Sequence, residues 1–227
     1  GKLFTKLIRE ITVAAKLGGS DSSANPRLRA AIDNGLSNNM AKDTIDRAVK
    51  HGAGGDENSN VDEIRYEGYG PNGVAVIVDT MTDNKNRTVA EIRHAFSKFG
   101  GNLGTDGSVS YLFTKIGLIS FQGEIDEDAI MEAALEGGAE DIITNGDNSI
   151  DVITNPDNLV DIKDVIVAAG FVPQNTEITM RASTTSELGK KSAETMIKLL
   201  DALEDIDDVQ KVYSNAEIPD EILAELN

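Results

Sequence analysis

Val74-Ala75-Val76-Ile77-Val78 is apolar at every position. A strand with one wet face alternates, so an unbroken apolar run of this length predicts a central strand covered on both faces. The stretch before it supplies the start of a sheet. Ile64–Tyr69 alternates, and Gly70-Pro71-Asn72-Gly73 has turn chemistry, so the two runs read as a hairpin. Thr88 with Glu91 three residues on is a capping-box signature. The helix it opens turns Val89, Ile92, Phe96 and Phe99 inward and leaves Glu91, His94 and Lys98 outside, with Arg87 at its start. Strands are expected at Ser108–Phe113 and Gly117–Phe121. That order leaves one helix and one strand owing. Ala193–Leu203, with Met196, Leu199, Leu200 and Leu203 on one side, and the strand Val209–Tyr213 complete a βαββαβ ferredoxin-like arrangement.

Between these halves the pattern is again mixed. Glu127–Leu135 and Asn158–Ala169 read as helices, Asp141–Thr144 and Ile150–Thr154 as strands, Phe171–Met180 as extended, and Ala182–Lys191 as a polar linker. The expected division is a basic helical domain over 1–56, a ferredoxin-like domain over 61–121 plus 192–227, and an acidic α/β domain inserted over 122–191. The fold class is α+β and multidomain: an all-helical N-terminal domain followed by two α/β domains, one inserted into the other.

Residues 100–107, GGNLGTDG, raise the question of phosphate binding. A dinucleotide loop follows a strand and opens a helix, so that the helix N-terminus meets the pyrophosphate. This loop follows a helix and enters a strand, placing a helix C-terminus beside it, and it lacks the lysine of a P-loop. Gly100, Gly101, Gly104 and Gly107 are therefore expected to serve backbone geometry, several with positive φ.

Charge divides the chain. The net charge is −18, yet residues 1–55 hold nine Lys/Arg against five Asp/Glu, whereas residues 116–227 hold six against twenty-five. A basic head on an acidic body suits contact with an anionic polymer at one end. In the head, Phe4, Leu7, Ile8, Ile11, Ala14 and Ala15 recur at helical spacing, with Lys2, Lys6, Arg9 and Lys16 on the opposite face. Gly18-Gly19 ends this helix. A second helix starts at Asn25-Pro26, with Arg27 and Arg29 near its start. A third runs from about Lys42 and is stopped by Gly52, with Lys42, Arg47 and Lys50 outward. Two helices around a short polar turn resemble helix-turn-helix, without a readable recognition helix. Lys85, Arg87, His94 and Lys98 are secondary basic contacts.

Legible catalytic machinery is absent. There is no cysteine, which fits a reducing compartment, and neither histidine, His51 or His94, has a sequence-evident nucleophile or metal partner. Asp56, Asn58, Asn60, Asp62 and Glu67 imitate calcium-loop spacing, but Val61 replaces the required glycine. Glu204-Asp205 and Asp207-Asp208 read as a solvated acidic turn. No catalytic residue, cofactor or metal is expected, nor a signal peptide or membrane span, which needs about 18 consecutive apolar residues.

The stretches GKLFTKLIREITVAAKLGG, NPRLRAAIDNGLSNNMAKDTIDRA, YEGYGPNGVAVIVDTMTDNKNRTVAEIRHAFSKFGGNLGTDGSVSYLF, IMEAALEGGAED and LLDALEDIDDVQKVY resemble the YebC/PmpR family over nearly the whole chain. NRTVAEIRHAFSK joined to GGNLGTDGSV is the most specific of them. The family pattern carries a basic leader before GK-x-F, and the sequence opens at that GK. The resemblance implies three domains and a cytoplasmic, DNA-binding transcriptional regulator. Other members, related to mitochondrial translational activators, act on ribosomes at proline-rich stretches. The expected function is a non-enzymatic nucleic-acid-binding regulator of gene expression. Its expected partners are DNA, or the ribosome through rRNA and tRNA, with a protein partner for the acidic body. A translation factor and a protein-binding adaptor are the alternatives.

Overall fold

The computed structural model describes residues 1–54 and 61–226. The stretch imitating a calcium loop therefore lies largely outside the described residues. In chain order the helical head comprises α1 (Lys2–Gly18), α2 (Pro26–Ser37) and α3 (Lys42–Ala53). There follow β1 (Asp62–Tyr69), β2 (Ala75–Thr82), α4 (Lys85–Lys98), β3 (Asn102–Leu103) and β4 (Phe113–Phe121). Next come α5 (Glu127–Gly137), β5 (Asp141–Thr144), β6 (Ile150–Thr154), α6 (Leu159–Ala168), β7 (Asn175–Ala182) and β8 (Ser186–Glu187). The chain closes with α7 (Lys190–Asp205), β9 (Val209–Ser214), β10 (Ala216–Glu217) and α8 (Asp220–Leu226). Two compact units result: Gly1–Glu57 with Lys115–Thr179, and Asn58–Thr114 with Met180–Asn227.

In the first unit the head is built around α1. Leu7, Ile11, Ala14 and Ala15 pack with Leu28 and Ala31 of α2 and Ile45 and Ala48 of α3. Asn25 does two jobs. Its Oδ1 accepts from the Leu28 amide and caps α2, while its Nδ2 donates to the carbonyls of Ala14 and Gly19, each at 2.9 Å. Gly52 does not stop α3 but is buried within it. A Cβ there would lie 2.1 Å from the Thr12 carbonyl oxygen, so glycine is what lets α3 close on α1. The rest of this unit is a four-stranded sheet ordered β5-β6-β4-β7. Ile130, Ala134, Leu159, Ile162 and Ile166 of α5 and α6 cover Ile119, Phe121, Ile150 and Val152. Lys163 of α6 reaches Asp33 of α2 at 2.8 Å, and Arg29 donates to the Asp157 carbonyl at 3.0 Å, so α2 is pinned to this α/β layer.

The second unit is a sheet ordered β3-β1-β2-β9, with α4 and α7 on one face. The run 74–78 is apolar throughout because both faces are covered. Val74, Val76 and Val78 meet Ile92, Phe96, Met196, Leu199 and Leu203, while Ala75 and Ile77 meet Val109 and Phe113. Strand β9 pairs antiparallel with β2, Ile77 opposite Tyr213. The expected sheet partnership of Val209–Tyr213 with Val74–Val78 is thus present.

The strand assignments between them differ. Ser110–Leu112 is a turn of 3-10 helix, and Phe113–Phe121 is one strand that pairs with β6 in the other sheet. The short β3 fills the place on β1 instead, Tyr69 opposite Asn102. The expected linker Ala182–Lys191 is also structured. Its β8 pairs in parallel with β10, and Leu188 is buried in the core beneath α4 and α7. Asp208 is buried rather than solvated, at 5% exposure.

Candidate nucleic-acid interface

The head's cations fall into two groups. Arg27 and Arg29 are committed to the fold. Arg27 grips Glu10 of α1 through Nε at 2.8 Å and a second nitrogen at 3.1 Å, a bidentate pair. Arg29 donates to the carbonyls of Ser22 and Ser23 as well as Asp157. The second group lies on α1 and α3. Lys2 and Lys16 are exposed and Lys6 and Arg9 half-buried, on one arc of α1. Val13, four residues from Arg9 and three from Lys16, shares that arc yet is only 9% exposed. The basic arc therefore has an apolar residue in it, and is not a plain solvated strip. Lys42, Arg47 and Lys50 are all exposed on α3. Among the described residues Arg47 makes only long contacts, 3.4 Å, to its own helix at Asp43 and Thr44. The close approach of Gly52 to Thr12 sets the last turn of α3, with Lys50 and His51, beside the part of α1 that carries Arg9 and Lys16. A phosphate backbone tracking the head would meet cations from both helices.

The glycine loop has a different resident. The carboxylate of Glu67, a residue 4% exposed, accepts from the amides of Gly107 at 2.6 Å, Val109 at 3.0 Å and Ser110 at 2.5 Å. The Gly104 amide adds a bond to the Glu67 carbonyl. Burial alone would raise the Glu67 pKa, but the three amides together outweigh it and hold the carboxylate below its usual range. The anion these amides hold is the protein's own. The glycines divide by reason. Gly100 and Gly107 have φ of 75° and 84°. Gly101 and Gly104 do not, but a Cβ on them would stand 2.2 Å from the Tyr69 carbonyl oxygen and 2.8 Å from Ser108 Oγ.

On α4 the secondary residues also separate. Arg87 is a clamp. It donates to both oxygens of Asp208, at 3.1 and 2.8 Å, and to Asp83 at 2.9 Å, which pushes its pKa still higher. Thr88 bonds the same Asp208 carboxylate at 2.7 Å and Thr82 at 2.7 Å. Thr88 therefore serves a buried network, and the α4 N-cap is Asn84, whose side chain accepts from Arg87. Lys85, His94 and Lys98 are exposed, Lys85 with a 3.7 Å contact to Asp62. Sequence reasoning missed Arg93, which is exposed on the same helix, and it missed Glu67 and Asp208 as structural anions. Only the tertiary pairing reveals the last two, since their partners lie 40 to 43 and 120 to 121 residues away. Among the described residues no three His, Asp or Glu side chains form a group able to hold a metal ion, and no helix is long and apolar enough to cross a membrane.

Comparison with known proteins agrees along the whole chain. Residues 1–55 match the "TACO1/YebC protein N-terminal domain", and residues 61–216 match the "TACO1/YebC second and third domain". A "Probable transcriptional regulatory protein" of Francisella tularensis subsp. novicida (strain U112) is 64% identical over 226 residues, covering 100% of this chain and 91% of the relative. A protein of the same description from Francisella tularensis subsp. tularensis (strain WY96-3418) is 63% identical with the same coverage. The crystal structure of a conserved hypothetical protein from Aquifex aeolicus is similar with a TM-score of 0.85 at 47% identity, covering 98% of this chain and 92% of that one. The helical head and the two antiparallel-sheet bodies that follow it are the fold of those relatives, and the chain belongs to the TACO1/YebC family.

Proposed function

We propose that this protein is a non-enzymatic, cytoplasmic regulator of gene expression that binds nucleic acid through α1 and α3 of its head. The carrying observation is the grouping of Lys2, Lys6, Arg9 and Lys16 with Lys42, Arg47 and Lys50 on two adjoining helices, in a chain of net charge −18. Support comes from the printed description of its relatives as probable transcriptional regulatory proteins. Lysine and arginine contacts to phosphate carry affinity with little sequence information, so this reading covers promoter DNA and ribosomal RNA alike. The acidic residues of 116–227 repel bulk nucleic acid and disfavour contact through that part of the chain.

The test is Lys6→Glu with Arg9→Glu, measured on the full chain by footprinting on promoter DNA and by co-sedimentation with ribosomes. Affinity should fall on the physiological target, and the log–log salt slope should shrink by about 0.7 to 0.9 for each lost contact. Footprints without co-sedimentation select the transcriptional form, and the converse selects the translational one. A variant that keeps both affinity and salt slope on both targets removes the head as the interface, and a parent with no salt-sensitive binding to either target favours the protein-binding adaptor.

A further inference from the structure

The solvent face of α4 is basic. The helix carries Lys85, Arg87, Arg93, His94 and Lys98 against a single carboxylate, Glu91. Several cations elsewhere find carboxylates: Arg27, Arg65 and Lys163 each close on one within 2.8 Å. On α4, among the described residues, only Arg87 does so at comparable distance, through Asp208 and Asp83. Arg93, His94 and Lys98 are exposed, and among the described residues none of the three is engaged by a carboxylate. The Lys98 ammonium stands 5.5 Å over the Phe99 ring, which braces its stem without neutralising its charge.

The layout of the face is as informative as its charge. Asn86, Ala90 and Ser97 are exposed and lie along the crest at helical spacing. Arg93 flanks the crest on one side, with His94 and Lys98 on the other, and Glu91 sits at the margin beside Arg87. Short side chains on a crest allow close approach, and cations on both flanks suit two phosphate strands. The opposite face, Thr88, Ile92, Ala95 and Phe96, is buried, and α4 shares its layer with α7 over one sheet. A helix flanked in its layer by a neighbour enters the B-DNA major groove, about 8.5 Å deep, less readily than it lies across a shallow groove. It can lie across the wide, shallow minor groove of A-form RNA, where Asn and Ser meet 2′-hydroxyls.

We propose that the exposed ridge of α4 is a second nucleic-acid surface, binding double-helical RNA across its minor groove, with Arg93 and Lys98 on the flanking phosphates. The proposal shares with the function above only the ligand class, since α4 belongs to a different compact unit from the head.

The experiment uses the full chain and Arg93→Glu with Lys98→Glu. Both residues are exposed, so thermal unfolding should match the parent. Binding is read by fluorescence anisotropy on a 20-base-pair RNA duplex and on DNA of the same sequence, over a range of salt. RNA affinity should fall at least about tenfold and the salt slope by about 1.8 for two duplex contacts, while DNA affinity changes less. Parent-like RNA binding by the variant overturns the proposal, as does an equal loss on DNA or a parent that binds neither duplex. The Lys6→Glu, Arg9→Glu protein, run alongside, keeps the two readings apart. If it binds like the parent while the α4 variant is weakened, the head reading fails and this one stands. The reverse result leaves the head and removes α4.

Discussion

The glycine loop and the helical head both advertise affinity for anions, and they resolve it in opposite ways. In the loop, three amides converge on a carboxylate that the protein itself supplies, Glu67 of β1. The site is filled as the chain folds, and it ties the loop to the sheet. In the head, Arg27 and Arg29 are likewise consumed by Glu10 and by backbone carbonyls, whereas Lys42 and Lys50 stay at the surface. An anion-binding group becomes a candidate for an external ligand only after its internal partners are counted. The same arithmetic separates Arg87 from Arg93 on one helix.

The largest effect should come from emptying the loop. Glu67→Ala removes the acceptor of three amides at once, one of them buried. At about 1 kcal/mol or more for each, the loss should reach about 3 to 4 kcal/mol in denaturant unfolding. Acid should act in the same direction. The folded Glu67 pKa is depressed, so its contribution is complete above the unfolded carboxylate range, near 4.3 in model peptides, and is lost as pH falls through the folded value. Glu67→Gln should flatten that part of the stability–pH curve. A Glu67→Ala protein as stable as the parent would show that the carboxylate does not anchor the loop, and one that also gains micromolar affinity for ATP would show that the loop is a ligand site.

Asp208 comes next. Asp208→Ala takes the carboxylate from the buried Thr88 hydroxyl, which keeps Thr82 and the Asn84 carbonyl, and leaves Arg87 with Asp83 alone. The expected cost is about 1 to 3 kcal/mol, from the loss of hydrogen bonds to a buried charged group. Because Arg87 then keeps only its exposed partner Asp83, the variant also tests whether the Asp208 pairing is what keeps it from phosphates. RNA affinity should rise in Asp208→Ala relative to the parent, and unchanged affinity would mean that pairing is not the deciding factor.

These pairings explain what was legible in the sequence and what was not. The apolar run 74–78 demanded cover on both faces, and the order of elements around it left a strand owing, the place Val209–Tyr213 takes from far along the chain. The start of α2 was readable because Asn25-Pro26 encodes its own cap. Two-residue strands such as β3 and β8 have no periodicity to read, and their places were misassigned. Phe113–Phe121 was divided at Thr114–Lys115, two exposed polar residues that interrupt the pattern without interrupting the strand. In the site, residue types were visible and their partners were not. Arg29 reaches a carbonyl 128 residues on, and Arg87 a carboxylate 121 residues on, distances at which local pattern carries no information.

The smallest effect is the sharpest check on the division of the head. Arg27 and Glu10 form a bidentate pair, but their side chains retain 31% and 27% exposure, so solvent screens much of the attraction. Arg27→Ala should cost about 1 kcal/mol or less in unfolding free energy. Since the guanidinium already has its carboxylate, nucleic-acid affinity and salt slope should stay at the parent values, while Lys6→Glu with Arg9→Glu lowers both. Glu10→Gln provides the complementary case. It releases Arg27 without deleting it, and so should raise affinity slightly if phosphate is near. If Arg27→Ala weakens binding as much as the α1 double variant while stability is unchanged, Arg27 exchanges Glu10 for phosphate on binding. The pair would then be a gate at the interface, and an internal partner would no longer disqualify a cation from the site.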